Sequence, residues 1–168
     1  TGLRIGLATA KGLAFAWQTP IVGIETPTSL AWNFVGNADK ICPLIDAQKG
    51  NVYALVYKWN RGILETLDDV SVMPLDDVLE RLQQQGEPVV FCGDGALLGR
   101  QKIAAASDLF RIAPPTVVIP RAGSLALAGQ QRLAAGEADD CMTLTPAYKR
   151  RSEAEVLWEK RHGGQRCL

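Results

Sequence analysis

The sequence has little of what metal or nucleophilic chemistry requires, because its 168 residues include one histidine and four cysteines. A metal site usually needs clustered His, Cys or carboxylate side chains, and a Ser–His–Asp or Cys–His catalytic unit needs a positioned histidine. His162 follows two basic residues and precedes two glycines, a setting typical of a solvated helix end. No Gly-x-x-x-x-Gly-Lys-Ser/Thr phosphate loop is present either. We therefore predict no catalytic residue, no cofactor and no metal site.

The cysteines are widely spaced and form no Cys-x-x-Cys pair; they are Cys42, Cys92, Cys141 and Cys167. This usage is typical of structural thiols in a reducing compartment, so we predict a cytoplasmic protein. No apolar run reaches the roughly 18 residues that a membrane span needs.

The charges balance, with 18 Lys plus Arg against 18 Asp plus Glu, so no global field attracts nucleic acid. A local basic cluster near the C-terminus could contact nucleic-acid phosphates. Glutamates are interspersed with these residues, and Ser152 with Glu155 forms a capping box, which favours a salt-bridged surface helix. The basic residues are Lys149, Arg150, Arg151, Lys160, Arg161 and Arg166.

The first residues carry a ridge of small side chains on a predicted helix over 3–18. Gly2, Gly6, Ala10 and Ala14 recur every four positions and therefore share one helix face. Such a ridge lets a second helix approach closely, which would offset the roughly 0.5–1 kcal/mol that each helical glycine costs. Two interpretations remain open: packing inside the domain, the commoner use of such a helix, and contact with another protein. A heptad-like seam runs beside the ridge, through Leu3, Leu7, Ala10, Ala14 and Trp17.

The rest of the pattern alternates strands and helices, which is typical of an α/β fold. Thr28 or Ser29 is expected to cap a short helix that ends at Gly36. Pro74 is expected to start an amphipathic helix with two acidic residues in its first turn and a stop at Gly86. The other predicted helices cover 97–106 and 120–136, and the predicted strands cover 20–25, 41–46, 52–59, 63–67, 88–92 and 109–112.

Three patches are ambiguous between a ligand site and a structural role. The turn Gly93-Asp94-Gly95 lies between a strand and a helix, where nucleotide-binding folds contact phosphate. A tight strand-to-helix turn explains the same residues without any ligand and is the favoured interpretation. Asp46 could bind a cation or a base, although capping its own turn is favoured. Aromatic residues alternate along the strand over 52–59 and share a face; they could stack on bases, but a core or interface stripe is commoner. They are Tyr53, Tyr57 and Trp59.

The segment 1–15 resembles the signature helix of the TsaB (YeaZ-like) family. Members usually carry Gly-Pro-Gly-Ser-Phe immediately before Thr-Gly-Leu-Arg-Ile-Gly, and this chain lacks those five residues. The resemblance continues through 20–24 and 28–30, and through 44–53, which is similar to the family's Asp-Ala-Arg-x-Gly-x-Val-Tyr hairpin. Patches at 93–96 and 146–150 are also similar, and the order and spacing of all these patches make the resemblance specific.

The resemblance implies an actin-like/Hsp70-like nucleotidase fold, in which two ribonuclease-H-like subdomains face each other. The N-terminal strands of such a fold would be missing from this chain. Residues 1–37 would be the remnant of the first subdomain and would carry the partner-binding helix. Residues 38–168 would form the second subdomain, with the helix 120–136 returning toward the first and a C-terminal tail. The strand at 20–25 would then lack its sheet, and exposed strand edges invite pairing.

The resemblance also implies a function in making threonylcarbamoyladenosine in tRNA. The chain would be a non-catalytic subunit that binds a TsaD-like protein and supports threonylcarbamoyl transfer to N6 of the adenosine 3′ of the anticodon. Catalysis would belong to that partner, threonine activation to a separate enzyme and ATP use to a small ATPase subunit, with tRNA contacted only indirectly. The same helix could form a two-fold homodimer. The residues expected to bind the partner are Leu3, Gly6, Leu7, Ala10, Ala14 and Trp17.

Two other functions fit the sequence. One is a stand-alone enzyme of the actin-like fold, either an ATP-dependent kinase or a glycoprotease-like protein. The lone histidine disfavours a zinc-dependent form of that enzyme. The other is an interaction module with an unrelated partner. Co-purification with a TsaD-like protein would distinguish that module from the TsaD-binding subunit described above.

Overall fold

A seven-stranded mixed sheet organises the computed structural model, which describes residues 2–68 and 71–147. Its central strand is β1 (Lys40–Asp46). On one side of β1 lies β6 (Val89–Cys92), in parallel, followed by β7 (Phe110–Ile112), also in parallel. Both strands were predicted, and the unbroken apolar run of β6 is buried at every position, as expected for a parallel strand covered on both faces.

The opposite side of β1 pairs with a single hairpin arm that is split in two. Strands β2 (Asn51–Ala54) and β3 (Tyr57–Asn60) both pair antiparallel with β1, and the pairs Leu44↔Ala54 and Ile41↔Tyr57 keep one register. The predicted strand over 52–59 is therefore interrupted at 55–56. The interruption follows from the outer partners, because β2 pairs with β5 (Ser71–Pro74) and β3 pairs with β4 (Ile63–Thr66). Strand β5 was not predicted from the sequence.

Six α-helices accompany the sheet in the described residues: α1 (Gly2–Trp17), α2 (Thr26–Ala31), α3 (Leu75–Gln85), α4 (Asp94–Leu98), α5 (Arg100–Ala106) and α6 (Ala122–Ala134). A 3₁₀ turn, Trp32–Phe34, follows α2. The cap predicted at Thr28 or Ser29 is wrong: α2 begins earlier, with Glu25 at the N-cap and a proline in the first turn whose fixed φ suits that position. The single helix predicted over 97–106 is two helices that meet at Gly99. The helix predicted after Ser152 lies outside the described residues.

The predicted strand at 20–25 is wrong, because only Ile21 forms a bridge, with Asp139. The described part of the chain places no neighbouring strand there to make a ladder. In this bridge Asp139 N–H donates to Ile21 O over 2.8 Å, and a side-chain bond adds to it, because Gly23 N–H donates to Asp139 Oδ2 over 2.7 Å. From α6, Arg132 donates to Gly23 O over 2.7 Å.

The core lies on both faces of the sheet. On one face α3 and α5 cover a cluster in which the rings of Phe91 and Phe110 meet edge to face at 5.1 Å. On the other face α2 and the 3₁₀ turn cover a second cluster, and helix α6 packs against α2 and against the 3₁₀ turn. Tyr57 and Trp59 belong to this second cluster and are buried, so they are core residues and the base-stacking alternative is wrong for them. Each fully buried large apolar side chain contributes about 1.5–3 kcal/mol.

The helix predicted to start at Pro74 is confirmed as α3, with Pro74 itself at the N-cap. Asp76 and Asp77 lie in the first turn, where carboxylates are favoured by the helix dipole. Gly86 ends the helix with φ +65°, the left-handed conformation that favours glycine. Across 2–68 and 71–147, none of the helices is both long enough and apolar enough to cross a membrane. The division into 1–37 and 38–168 stays a prediction.

Candidate partner-binding surface

Helix α1 lies on the rest of the chain without burying any of its own residues. Its inner face consists of three half-buried residues, Leu7, Lys11 and Ala14, which follow one another at helical spacing. Leu3 continues this line and borders a cavity, although 59% of it is exposed. The inner face therefore contacts its own chain, but only partly.

The outer face of α1 is apolar and exposed. A Cβ placed on Gly6 would meet no heavy atom within 4 Å, and Ala10 is exposed. Around them Ile5 is 62% and Trp17 70% exposed. Gly2, Gly6 and Ala10 of the ridge are thus open within 2–68 and 71–147, whereas Ala14 faces the rest of the chain, so packing among these residues accounts for only one end of the ridge. Contiguous exposed apolar surface of this kind marks interaction sites on monomeric proteins.

The structure divides the six residues predicted to bind a partner. Gly6, Ala10 and Trp17 lie on the outer face, together with Ile5 and Leu13, which the sequence analysis did not include. The remaining three belong to the line that faces the rest of the chain: Leu3, Leu7 and Ala14. The heptad-like seam included residues of both faces because it was identified from apolar character alone. Helical spacing does not indicate which side of an isolated apolar helix faces its own chain.

Lys11 holds α1 to the segment that follows α6. Its ammonium Nζ donates to the carbonyl oxygens of Met142 and Leu144, over 3.0 and 2.9 Å. The Cys141 thiol donates in return to the Lys11 carbonyl, over 3.3 Å. This role of Lys11 was not predicted from the sequence, because a lysine in a helix is usually a solvated residue.

A cavity of about 530 Å³ lies between α1, the segment 23–27 and residues 144–147. Its volume and its mostly apolar walls are both in the range of small-molecule sites. Two charged residues in its wall are engaged with their own chain, since Arg132 donates to Gly23 O and Asp139 accepts from Gly23 N–H. Tyr53, the third aromatic residue of the predicted stripe, lines this cavity and is half-buried.

The turn at Gly93-Asp94-Gly95 is explained by packing against β1. Gly93 has φ +93°, and a Cβ there would lie 2.2 Å from the Leu44 carbonyl oxygen. Asp94 Oδ1 accepts from Asp46 N–H over 3.0 Å and from Gly95 N–H over 2.9 Å. The favoured interpretation, a tight turn, is therefore confirmed. Asp46 Oδ1 accepts from Gln48 N–H over 2.8 Å, which confirms that it caps its own hairpin turn.

The described cysteines do not form a reactive pair. Burial raises the pKa of the Cys42 thiol to about 12 and raises the pKa of the Cys92 thiol well above its usual value. Thiols in such surroundings are protonated and inert. Among residues 2–68 and 71–147, no group of three or more His, Cys, Asp or Glu side chains could hold a metal. His162, Cys167 and the basic cluster lie outside the described residues.

A family model described as "TsaD: tRNA N6-adenosine threonylcarbamoyltransferase" matches residues 1–158. Two similar proteins bear the name "tRNA threonylcarbamoyladenosine biosynthesis protein TsaB". The one from Bacillus subtilis is 36% identical over 163 residues, which cover 94% of this chain and 68% of that protein. The one from Escherichia coli is 29% identical over 171 residues, which cover 97% of this chain and 70% of that protein.

Two solved structures from Pseudomonas aeruginosa share the fold. One is described as an uncharacterized protein with similarity to peptidase YEAZ and has a TM-score of 0.70 at 24% identity. The match covers 89% of this chain and 68% of that protein chain. The other is described as YeaZ and has a TM-score of 0.67 at 20% identity. This match covers 88% of this chain and 68% of that protein chain. The mixed α/β architecture is thus the expected actin-like nucleotidase fold. The chain belongs to the TsaB (YeaZ-like) family, within the wider group that the threonylcarbamoyltransferase model describes.

Proposed function

We propose that the chain is a non-catalytic subunit in the biosynthesis of threonylcarbamoyladenosine in tRNA. It binds a TsaD-like protein and is required for threonylcarbamoyl transfer to N6 of the adenosine 3′ of the anticodon, in the cytoplasm. The observation that carries the proposal is the exposed outer face of α1, in a chain whose relatives are named for this biosynthesis. The two relatives support the process, and the helix supports the role of a binding subunit.

The outer face of α1 suits a helix as its partner. Two packed helices have axes about 8–10 Å apart, and small side chains at the contact set the lower end of that range. Gly6 and Ala10 provide such a point, and Leu13 and Trp17 border it with larger apolar surface. A partner helix at this place would remove these side chains from water and would offset the cost of glycine in α1.

In this proposal the chemistry belongs to the partner proteins. The TsaD-like protein catalyses the transfer, a small ATPase subunit uses ATP, and tRNA is contacted through the complex. The carboxylates that the sequence offered as ligands are engaged in turns, since Asp46 caps its hairpin and Asp94 ties α4 to β1. A homodimer through the same outer face would compete with the heterodimer, because a two-fold contact needs only a self-complementary patch.

The test is a titration of the TsaD-like protein from the same cell with the whole chain and with Ala10→Trp. A tryptophan on the ridge forces the helices apart, so affinity should fall by roughly tens- to hundreds-fold, the loss typical of central interface packing. Ala104→Trp, on an exposed position of α5, is the matched control and should bind like the parent. Leu7→Arg is a poorer probe, because Leu7 faces its own chain.

A folded Ala10→Trp variant that binds as tightly as the parent would place the interface elsewhere. The isolated chain should also not hydrolyse ATP, cleave peptides or modify tRNA. Turnover that co-elutes with the chain through successive columns would instead favour a stand-alone enzyme.

A further inference from the structure

We infer that Lys11 is the residue that positions α1 for partner binding, by holding residues 139–147 against the inner face of the helix. We call residues 139–147 the strap. The inference rests on the proposed function, since it concerns how the binding helix is kept in place. It assigns no chemistry to Lys11, which acts through α1.

The strap presents carbonyl oxygens to Lys11 because it contains one helical turn. Asp140 Oδ1 accepts from the N–H groups of Met142 and Thr143, over 2.6 and 3.1 Å, and Leu144 N–H donates to Asp140 O over 2.9 Å. The end of such a turn leaves carbonyl oxygens with partial negative charge, and a lysine ammonium is favoured there. Lys11 Nζ lies at this end, bonded to the carbonyls of Met142 and Leu144.

The strap is in turn fixed to the rest of the chain at its other end. Asp139 is bonded through its backbone to Ile21 and through its carboxylate to Gly23. Arg132 of α6 donates to the same Gly23, so the strap, the segment 21–23 and α6 form one connected unit. Lys11 joins α1 to that unit.

Apolar packing cannot replace this tether. Helix α1 has no buried residue, and Leu7 and Ala14, the apolar residues of its inner face, are only half-buried. A long helix with so little burial is ordered by a few specific contacts, and its opening costs little free energy when they are removed. A binding helix that is not held in place must be ordered when the partner arrives, which lowers affinity.

The first experiment compares hydrogen exchange in the free whole chain and in Lys11→Met. Exchange in α1 and in the strap should become about tenfold faster, while α3 exchanges as in the parent. Lys11→Arg should restore the parental exchange rate, because a guanidinium also donates to carbonyls. Lys102→Met removes a lysine of α5 that pairs with Asp76 of α3; it is the control and should leave α1 unchanged. Asp140→Ala tests the tether from the strap side and should reproduce the effect.

The second experiment titrates the same variants with the TsaD-like protein. Lys11→Met should bind the TsaD-like protein about tenfold more weakly, and Lys11→Arg should bind it like the parent. The melting temperatures of the variants should not rank in the same order as their affinities. Unchanged exchange in both Lys11→Met and Asp140→Ala overturns the inference. So does parental affinity of Lys11→Met when Ala10→Trp binds weakly, a result that leaves the proposed function standing. If the parent itself does not bind, the proposed function and the inference both fail.

Discussion

Helices α1 and α3 use their apolar residues in opposite ways. In α3 the four apolar residues that line one stripe are all buried against the sheet: Leu75, Val78, Leu79 and Leu82. In α1, which is longer and more apolar, no residue is buried, and Trp17 is 70% exposed. One helix buries its apolar stripe in its own chain, and the other leaves its apolar side chains exposed within the described residues.

The helices also differ in how they end and what they contain. Helix α3 has acidic residues in its first turn and a left-handed glycine at its end, so local signals agree with its burial. Helix α1 carries glycines at positions 2, 6 and 12, whose Cβ positions meet nothing within 4 Å. The proposed partner contact would offset the cost of these helical glycines. Substitutions in the two helices should therefore have separate consequences.

The largest effect on stability is expected from Leu82→Ala in α3. Leu82 is fully buried in the cluster under α3, so the change removes buried methylene groups and leaves a cavity. It should lower the free energy of unfolding by about 2–5 kcal/mol. Leu13→Ala in α1 is the matched change at an exposed position and should stay within about 0.5 kcal/mol. Urea unfolding of both variants checks this; similar losses would mean that α1 belongs to the core.

Glycine-to-alanine substitutions should change stability in opposite directions in the packed turn before α4 and on the exposed face of α1. Gly93→Ala places a Cβ 2.2 Å from the Leu44 carbonyl oxygen at a φ of +93°, so unfolding should become easier by about 2–4 kcal/mol. Gly6→Ala adds a methyl group to open space in a helix and should stabilise the free chain by about 0.5–1 kcal/mol. Thermal melts of both variants measure these shifts. A destabilised Gly6→Ala variant would reveal a contact on the ridge.

The smallest response is expected when the thiols of the folded chain are alkylated at pH 8, because two of the described cysteines are buried. Burial raises the pKa of Cys42 to about 12, so at pH 8 this thiol is protonated as well as inaccessible. Cys42 and Cys92 should stay unmodified until urea unfolds the chain, whereas the half-buried Cys141 should react in the native state. Peptide mass mapping distinguishes the sites. Native labelling of Cys42 would show that the sheet opens more readily than its burial implies.

The sequence predicted those elements whose local signals and tertiary contacts agree. The amphipathic stripe of α3, the unbroken apolar run of β6 and the turn after Asp46 each follow from short-range patterns. The strand at 20–25 was wrong because strand formation needs a neighbour, and apolar character alone does not supply one. The break between β2 and β3 depends on two separate outer strands, which the sequence of the arm does not encode.

The surface could be predicted only in part for a similar reason. Helical periodicity placed Gly6 and Ala10 on one ridge, but the inner face of α1 is set by contacts with residues more than 130 positions away. Lys11 illustrates this: its partners are backbone carbonyls of the strap, which carry no side-chain signal. Exposed Ile5 and Leu13 were omitted because they lie outside the heptad-like seam.

The most direct test of the account is hydrogen exchange of the whole chain, alone and saturated with the TsaD-like protein. In the free chain α3 should exchange slowly and α1 fast, because only α3 buries its apolar residues. In the complex α1 should gain at least about tenfold protection over its length, while α3 stays unchanged. Protection that develops elsewhere, with α1 still exchanging as in the free chain, would contradict the claim that α1 is the partner-binding helix.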